Sequence, residues 1–265
     1  MKGKNAVWVG ISFGIAGLAS IHLQAQESFI GIYDFSRVTI RSGIIDRTPP
    51  PVAPGVLFGA FRAAGYSGGS CEAGVFCWGQ NEPGAISGDD DFSHFTGSLN
   101  PAKYYEVTLS PELSCALELD TISFYVGRGE IGIRNYAVRS SLDGFAENLP
   151  ASISPANPNL GVGPDNSFRW LFDAVATLEG LGGSQVVLGD DFDVLTAPVT
   201  FRFYGWNADM SMGAFGIDNV AFSGSVALVP EPAAAALLPP GLIWLWGEAR
   251  KRFNSGNGKQ QQRSR

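Results

Sequence analysis

The sequence predicts an all-β fold, an antiparallel β-sandwich of two sheets, on three observations. Short segments rich in β-branched and aromatic residues recur along residues 26–228. Clusters of Gly, Pro, Asn and Asp separate these segments, and no long helical period lies between them. About ten short strands at this spacing are typical of a two-sheet sandwich, and they favour a jelly roll.

The predicted strands are short and follow one another closely. A proline-rich loop at 49–54 interrupts them early, and residues 142–147 are long enough for one helical turn at most. The strongest segments are 29–35, 38–40, 56–61, 104–109, 119–126, 136–140, 168–172, 199–204 and 215–222.

The N-terminus, residues 1–25, has the three parts of a secretory signal peptide with its signal helix. Lys2 and Lys4 form a positive start, residues 6–23 are mainly apolar, and Ala25 supplies a small residue at a cleavage position. An uncleaved membrane anchor is the alternative. Both interpretations predict export of one domain, residues 26–228, which is long enough to bury a core of its own.

The C-terminal segment 229–252 combines a breaker, an apolar run and a basic cluster. Pro230 and Pro232 flank Glu231 and keep the chain extended. The apolar run 233–246 is shorter than the roughly 20 residues of a spanning helix, and it contains two prolines. Positive charge after it would stay on the cytoplasmic side. The basic cluster is Arg250, Lys251 and Arg252, and a polar tail, 253–265, follows.

This three-part order resembles the PEP-CTERM sorting signal of exported bacterial proteins, with Pro230, Glu231 and Pro232 as the motif. The resemblance implies the export machinery and an exosortase-type enzyme as partners, with transient contact between the tail and the inner membrane. It places the processed protein in the cell envelope or on the extracellular surface. The prolines inside the apolar run and the length of the polar tail depart from the family pattern. Residues 139–145 and 215–220 also resemble segments of jelly-roll domains in such proteins.

The charge of the predicted domain narrows the classes of ligand. Residues 26–228 contain ten Lys and Arg against 23 Asp and Glu, a net charge of −13, whereas the whole chain carries −7. A nucleic acid is therefore not expected as a partner, because binding it requires clustered positive charge. Cations and neutral sugars are compatible with such a surface.

The cysteines and histidines favour a structural role over catalysis. Export predicts a disulfide between Cys71 and Cys77, with Cys115 buried and free, although Cys115 could pair with either. A catalytic triad or a zinc site would have to use His94, the one histidine of the domain. No nucleophile elbow or phosphate-binding loop is present. The chain is therefore predicted not to be an enzyme, although paired carboxylates of a glycosidase stay open.

Two acidic loops, 88–91 and 189–193, raise the hypothesis of a structural calcium ion. Each places aspartates two residues apart in a turn led by glycine, and calcium prefers several oxygen ligands. The alternative is that these aspartates solvate hairpin turns and cap strand ends. The candidate ligands are Asp34, Asp89, Asp91, Asp191, Asp193 and Asp218.

Aromatic side chains raise a second hypothesis, because exposed rings stack on sugars. Trp78 follows the cysteine loop and Trp206 ends a strand, so both are candidate ligand-binding residues, whereas Trp170 is expected in the core. The predicted function is that of a non-catalytic surface or matrix component anchored in the cell envelope and binding polysaccharide. The alternatives are a glycan-active hydrolase and a structural protein that self-associates through strand edges.

Overall fold

The computed structural model describes residues 26–79 and 82–229, with the backbone alone at 178–179. The predicted signal peptide, the sorting motif at Pro230, Glu231 and Pro232, the basic cluster and the polar tail lie outside the described residues. Among the residues described, no helix has the length and apolar character needed to cross a membrane.

Strands dominate the described chain, and three short 3-10 helices are its helical elements. The helices span Phe92–His94, Ser141–Asp143 and Asp190–Phe192. The strands are β1 (Glu27–Tyr33), β2 (Val56–Phe58), β3 (Arg62–Ala64), β4 (Phe76–Trp78), β5 (Glu82–Pro83), β6 (Tyr104–Pro111), β7 (Cys115–Arg128), β8 (Asn135–Ser140), β9 (Ala151–Ile153), β10 (Leu160–Val162), β11 (Phe168–Trp170), β12 (Thr177–Val187), β13 (Val199–Ala208) and β14 (Phe215–Leu228).

Two sheets form a sandwich whose strand order is that of a jelly roll. The six-stranded sheet has the order β1-β14-β7-β12-β9, with β4 also paired to β14. The eight-stranded sheet has the order β10-β11-β8-β13-β6-β2, with β3 paired to β6 and β5 to β13. Pairing is antiparallel except between β5 and β13. Taking β1, β6, β7, β8, β11, β12, β13 and β14 in chain order as 1 to 8, the two sheets are 1-8-3-6 and 2-7-4-5, so the predicted fold is confirmed.

Alternate side chains of the central strands point into one aromatic core between the sheets. Phe203 of β13 lies 5.3 Å from Phe124 of β7, and Phe201 lies 5.4 Å from Phe222 of β14, between ring centroids. All four are at most 1% exposed. The intervening residues of β13 therefore point to the opposite, outer face of the eight-stranded sheet.

Tyr105 joins the two sheets through hydrogen bonds in the core. Its hydroxyl donates to the carbonyl of Phe215 at 2.5 Å and accepts from the backbone amide of Trp78 at 3.0 Å. The ring is fully buried, and burial raises the pKa of its hydroxyl well above the usual range.

Replacing Tyr105 with Phe is expected to lower the free energy of unfolding by about 2 kcal/mol, because it leaves a buried carbonyl and a buried amide unpaired. Denaturant unfolding measures this loss. Tyr125→Phe, on the half-exposed outer face of β7, is the control and should change little. Equal stability of the two variants would contradict the bridging role of Tyr105.

The structure departs from the sequence prediction in three places. Residues 38–40, predicted as a strand, instead join two turns, in which the Val38 amide donates to the Phe35 carbonyl and the Ser42 amide to the Thr39 carbonyl, both at 2.8 Å. The predicted strand 56–61 is a strand only at 56–58, in β2, and the next strand, β3, begins at Arg62. Cys115 is free, as predicted, but it is partly exposed instead of buried. The predicted disulfide Cys71–Cys77 is present, with a Cα–Cα distance of 5.2 Å.

Candidate binding groove on the outer face of the eight-stranded sheet

The outer face of the eight-stranded sheet carries polar and aromatic side chains in cross-strand rows. In one row Trp206 of β13 lies opposite Asn135 of β8, which in turn lies opposite Arg169 of β11. In the next, Tyr204 lies opposite Ala137 and packs against Tyr104 with ring centroids 5.7 Å apart. This arrangement follows from strand alternation, because the partner positions on the other face fill the core.

A third row consists almost entirely of arginines, and we call it the arginine row. Arg139 of β8 lies directly opposite Arg202 of β13, Arg202 lies opposite Glu106 of β6, and Glu106 lies opposite Arg62 of β3. Glu106 accepts a hydrogen bond from Arg202 Nε at 3.0 Å and another from Arg62. One carboxylate therefore faces two guanidinium groups, and Arg139 forms no ion pair with any described residue.

Aromatic rings hold the guanidinium group of Arg202 in place. Its carbon lies 3.9 Å from the ring centroid of Tyr104 and 3.8 Å from that of Phe145, so the cation sits against two π faces. Burial by itself lowers the pKa of Arg202, but its interactions with Glu106, Tyr204 and Tyr104 together outweigh burial, and the pKa is raised. The side chain keeps 23% of its surface exposed, so a fixed positive charge is presented to solvent.

A groove of about 550 Å³ runs beside these rows. Its lining includes Arg139, Asn148, Asp165 and Trp206, and the segment 97–101 forms one wall. A smaller recess of about 120 Å³ shares Asp165 and Trp206 with it and adds Asn135, Arg169 and the rings of Phe92 and Phe95. Aromatic, amide and charged side chains are the groups with which proteins orient polar ligands.

The wall of the groove is fixed to the sheet by hydrogen bonds from Asn207. This residue is 5% exposed and accepts from the Gly97 amide at 2.7 Å while donating to Asn135 Oδ1 at 2.9 Å. A Cβ at Gly97 would lie 2.5 Å from Asn207 Oδ1, so the close approach requires glycine. The groove therefore has a shape set by the fold.

Two fully buried arginines, Arg128 and Arg134, form a cluster next to the recess, where Arg134 packs 4.9 Å from the ring centroid of Phe95. Asp173 Oδ1 accepts from Arg128 Nη2 at 3.1 Å and from Arg134 Nη1 at 2.8 Å, and its Oδ2 accepts from the Gly88 amide at 2.6 Å. Asp90 accepts from Arg134 Nη2 at 3.2 Å. Burial alone raises the pKa of Asp173, but the Gly88 amide and the arginine charges outweigh it and lower that pKa.

Asp209 is the unusual member of this buried cluster. Its side chain is 1% exposed and its Oδ2 lies 3.7 Å from Arg128 Nη2, yet neither oxygen has a hydrogen-bond partner among the described residues. Burial, reinforced by the charge of Asp173, raises the pKa of Asp209. Sequence analysis missed the cluster because its members come from separate loops and strand ends.

The structure places one of the three tryptophans of the domain, Trp78, differently from the prediction. Trp78 is 1% exposed within β4 and packs against Phe76 with ring centroids 4.6 Å apart, so its placement at a loop tip is wrong. The reason is that Trp78 belongs to β4, which pairs with β14, so its ring points inward. Trp206 lines the groove and the recess, although only 7% of its surface is exposed. Trp170, at 0%, is a core residue as expected.

Four of the six predicted calcium ligands, Asp34, Asp89, Asp91 and Asp218, already accept hydrogen bonds from nearby backbone amides. Asp89 accepts from the Asp91 amide at 2.8 Å, and Asp91 accepts from the Ser93 amide at 2.9 Å. Burial, together with the charge of Asp34, raises the pKa of Asp218.

Asp191 and Asp193 belong to a separate, exposed turn. Across residues 26–79 and 82–229, no three His, Cys, Asp or Glu residues gather as a metal site. A calcium ion at these residues stays a prediction, without support from this geometry.

Other titratable side chains lie outside the groove. His94 is exposed and its Nδ1 lies 2.9 Å from Asp89 Oδ2, and this hydrogen bond raises the pKa of His94. A second cleft, of about 540 Å³, is lined in part by Asp143, Glu147 and Asp191, all exposed. Asp143 accepts from the backbone amides of Ala146 and Glu147, so its carboxylate stabilises a turn.

Fold and site together define a jelly-roll β-sandwich with a preformed polar groove on the outer face of one sheet. Comparisons with models of protein families, with curated proteins and with solved structures find no match for this chain.

Proposed function

We propose that the protein is an exported, non-catalytic component of the cell surface or extracellular matrix that binds polysaccharide. The observation that carries this proposal is the groove lined by Trp206, Asn148 and Arg139 on the outer face of the eight-stranded sheet. Amide, guanidinium and aromatic groups pair with the hydroxyls and apolar faces of sugars.

The two terminal segments support export and retention at the envelope. The positive start and apolar run of residues 1–25 are those of a secretory signal, and the segment 229–252 resembles a sorting signal. The proposal thus includes the export machinery and an exosortase-type enzyme as partners, with the tail contacting the inner membrane before processing. The disulfide Cys71–Cys77 suits an oxidising compartment.

A glycan array with the purified full-length protein tests the proposal, run once with calcium and once with a chelator. We expect binding that Trp206→Ala and Asn148→Ala both reduce, since each removes a lining side chain. Tyr125→Ala, on the outer face of the other sheet, is the control and should bind as the wild type does. Absence of binding across the array would overturn the proposal, and loss of binding with the chelator would place calcium in the site.

Two specific observations keep the alternatives testable. The carboxylates of the second cleft would serve a hydrolase, so release of reducing sugar from bound glycans should be measured beside the array. β1 lies at the edge of the six-stranded sheet with Ile30 69% exposed and Ile32 53% exposed, which would suit self-association. Sedimentation velocity would then show assembly that increases with concentration.

A further inference from the structure

We propose that the groove selects acidic polysaccharides, and that the arginine row binds their carboxylate groups. This inference rests on the proposed polysaccharide binding and adds the chemical class of the ligand.

The basic residues of the domain are concentrated on the outer face of the eight-stranded sheet. Ten basic side chains stand against 23 acidic ones in residues 26–229. Two of the ten, Arg128 and Arg134, are fully buried. Five of the remaining eight lie on or beside this face, and the acidic side chains that pair with them are Glu82, Glu106 and Asp165. The five are Arg62, Lys103, Arg139, Arg169 and Arg202.

The arginine row leaves an excess of positive charge on this face of the sheet, which indicates an anionic ligand. Like charges directly opposite one another on adjacent strands destabilise a sheet, and Arg139 stands directly opposite Arg202. Glu106 already faces Arg62 and Arg202 and leaves Arg139 without a carboxylate. The row thus carries three positive charges and one negative charge. An anion bound over the row would compensate this excess.

The geometry of Arg139 suits a carboxylate. Its Nε donates to Asn148 Oδ1 at 2.8 Å and its Nη1 to the Phe145 carbonyl at 3.0 Å, which fixes the plane of the guanidinium. Nη2 has no hydrogen-bond partner among residues 26–79 and 82–229, and Arg139 lines the groove. Both acceptors are neutral, so no negative charge of the protein compensates this guanidinium, and it can pair with a carboxylate of the ligand.

The direction of the row indicates how a polymer would lie. Arg139, Arg202 and Arg62 belong to three strands, β8, β13 and β3, so the positive charges are spread across the sheet. Facing residues on adjacent antiparallel strands are about 5 Å apart. A linear polymer with charges repeated along its length can contact several members of the row, whereas a single small anion contacts one or two. Affinity should therefore increase with the length of the oligosaccharide.

Binding of the purified full-length protein to three carboxylate polymers tests the inference: polygalacturonate, alginate and hyaluronate. Methyl-esterified polygalacturonate supplies the same backbone without charge. We expect binding to at least one acid polymer, weakening with added salt, and at least tenfold weaker binding to the ester. Arg139→Gln and Arg62→Gln should each lose about tenfold in affinity for the acid polymer. Arg62 keeps 58% of its side chain exposed, so that variant should fold even if the other does not.

The control is Arg41→Gln, which removes the same charge from an exposed loop and should leave binding unchanged. Equal binding of ester and acid would overturn the inference while leaving polysaccharide binding intact. Equal effects of Arg41→Gln and Arg62→Gln would also overturn it, since the row would then act through net charge alone. Binding to none of the three acid polymers would overturn it too, and the glycan array decides separately whether the protein binds neutral glycans.

Discussion

Replacing Asp173 with Asn is expected to lower the free energy of unfolding by about 3 kcal/mol at pH 7, because it removes the carboxylate shared by two buried guanidinium groups. An amide in the same place must also turn an NH2 group toward either the arginines or the Gly88 amide, all of which are donors. Two buried positive charges would then depend on Asp90 and Asp209. Denaturant unfolding at neutral pH measures the loss.

Asp209→Asn is the matched control, since it replaces a second carboxylate of the same cluster with an amide of the same shape. Asp209 accepts no hydrogen bond among the described residues, and burial raises its pKa. Its ionised form is thus unfavourable in the folded protein. We expect this variant to be as stable as the wild type or more stable at pH 7. A loss as large as that of Asp173→Asn would contradict the account of the cluster.

Relative to the wild type, the free energies of unfolding of Asp173→Asn and Asp209→Asn should change in opposite directions with pH. The pKa of Asp173 is lowered by folding, so its contribution is present above the unfolded value near 4 and lost as the pH falls. The pKa of Asp209 is raised, so its contribution is present below that value and lost as the pH rises. The deficit of Asp173→Asn should therefore shrink in acid, and any gain of Asp209→Asn should vanish there.

Replacing Trp78 with Ala is expected to lower the free energy of unfolding by about 3 to 5 kcal/mol, because the ring packs in the core against Phe76 and Tyr105. The indole is 1% exposed, and Nε1 donates to the Gly68 carbonyl at 3.4 Å. Trp78→Phe keeps an aromatic ring and should lose less. Thermal unfolding of both variants gives the comparison.

This expectation changes the meaning of a binding assay on Trp78. Loss of sugar binding in Trp78→Ala would report an unfolded domain, whereas loss in a stable variant at Arg62 or Asn148 would report the groove. Wild-type stability of Trp78→Ala would contradict its burial and would return Trp78 to the candidate ligand-binding residues.

The sandwich could be predicted from sequence because the alternation of apolar and polar residues is visible within each of several strands. β6, β8 and β13 alternate apolar and polar residues, and the core side of each follows from that pattern. β12 could not be predicted, since Gly180, Gly182 and Gly183 interrupt its sequence. Gly180 and Gly183 have positive φ angles, and the register shifts on either side of Leu181. Its place in the sheet depends on pairing with β7 and β9.

The groove could be predicted only in part. Trp206 was identified from its position at a strand end, but the arginine row joins residues separated by up to 140 positions in the chain, from 62 to 202. Each arginine alone looks like an ordinary exposed residue of an alternating strand. Register across three strand pairs is what aligns them, and register is a property of the assembled sheet.

The pairing of β1 with β14 fixes the point from which the domain would be tethered. Glu27 lies opposite Val226, so the first and last described strands leave the sandwich side by side. Phe215, at the far end of β14, packs beneath Gly205, next to Trp206. β14 has 14 residues and spans roughly 40 Å. Any attachment through either flanking segment would hold the domain by one end and direct the Trp206 end of the groove outward, away from the point of anchorage.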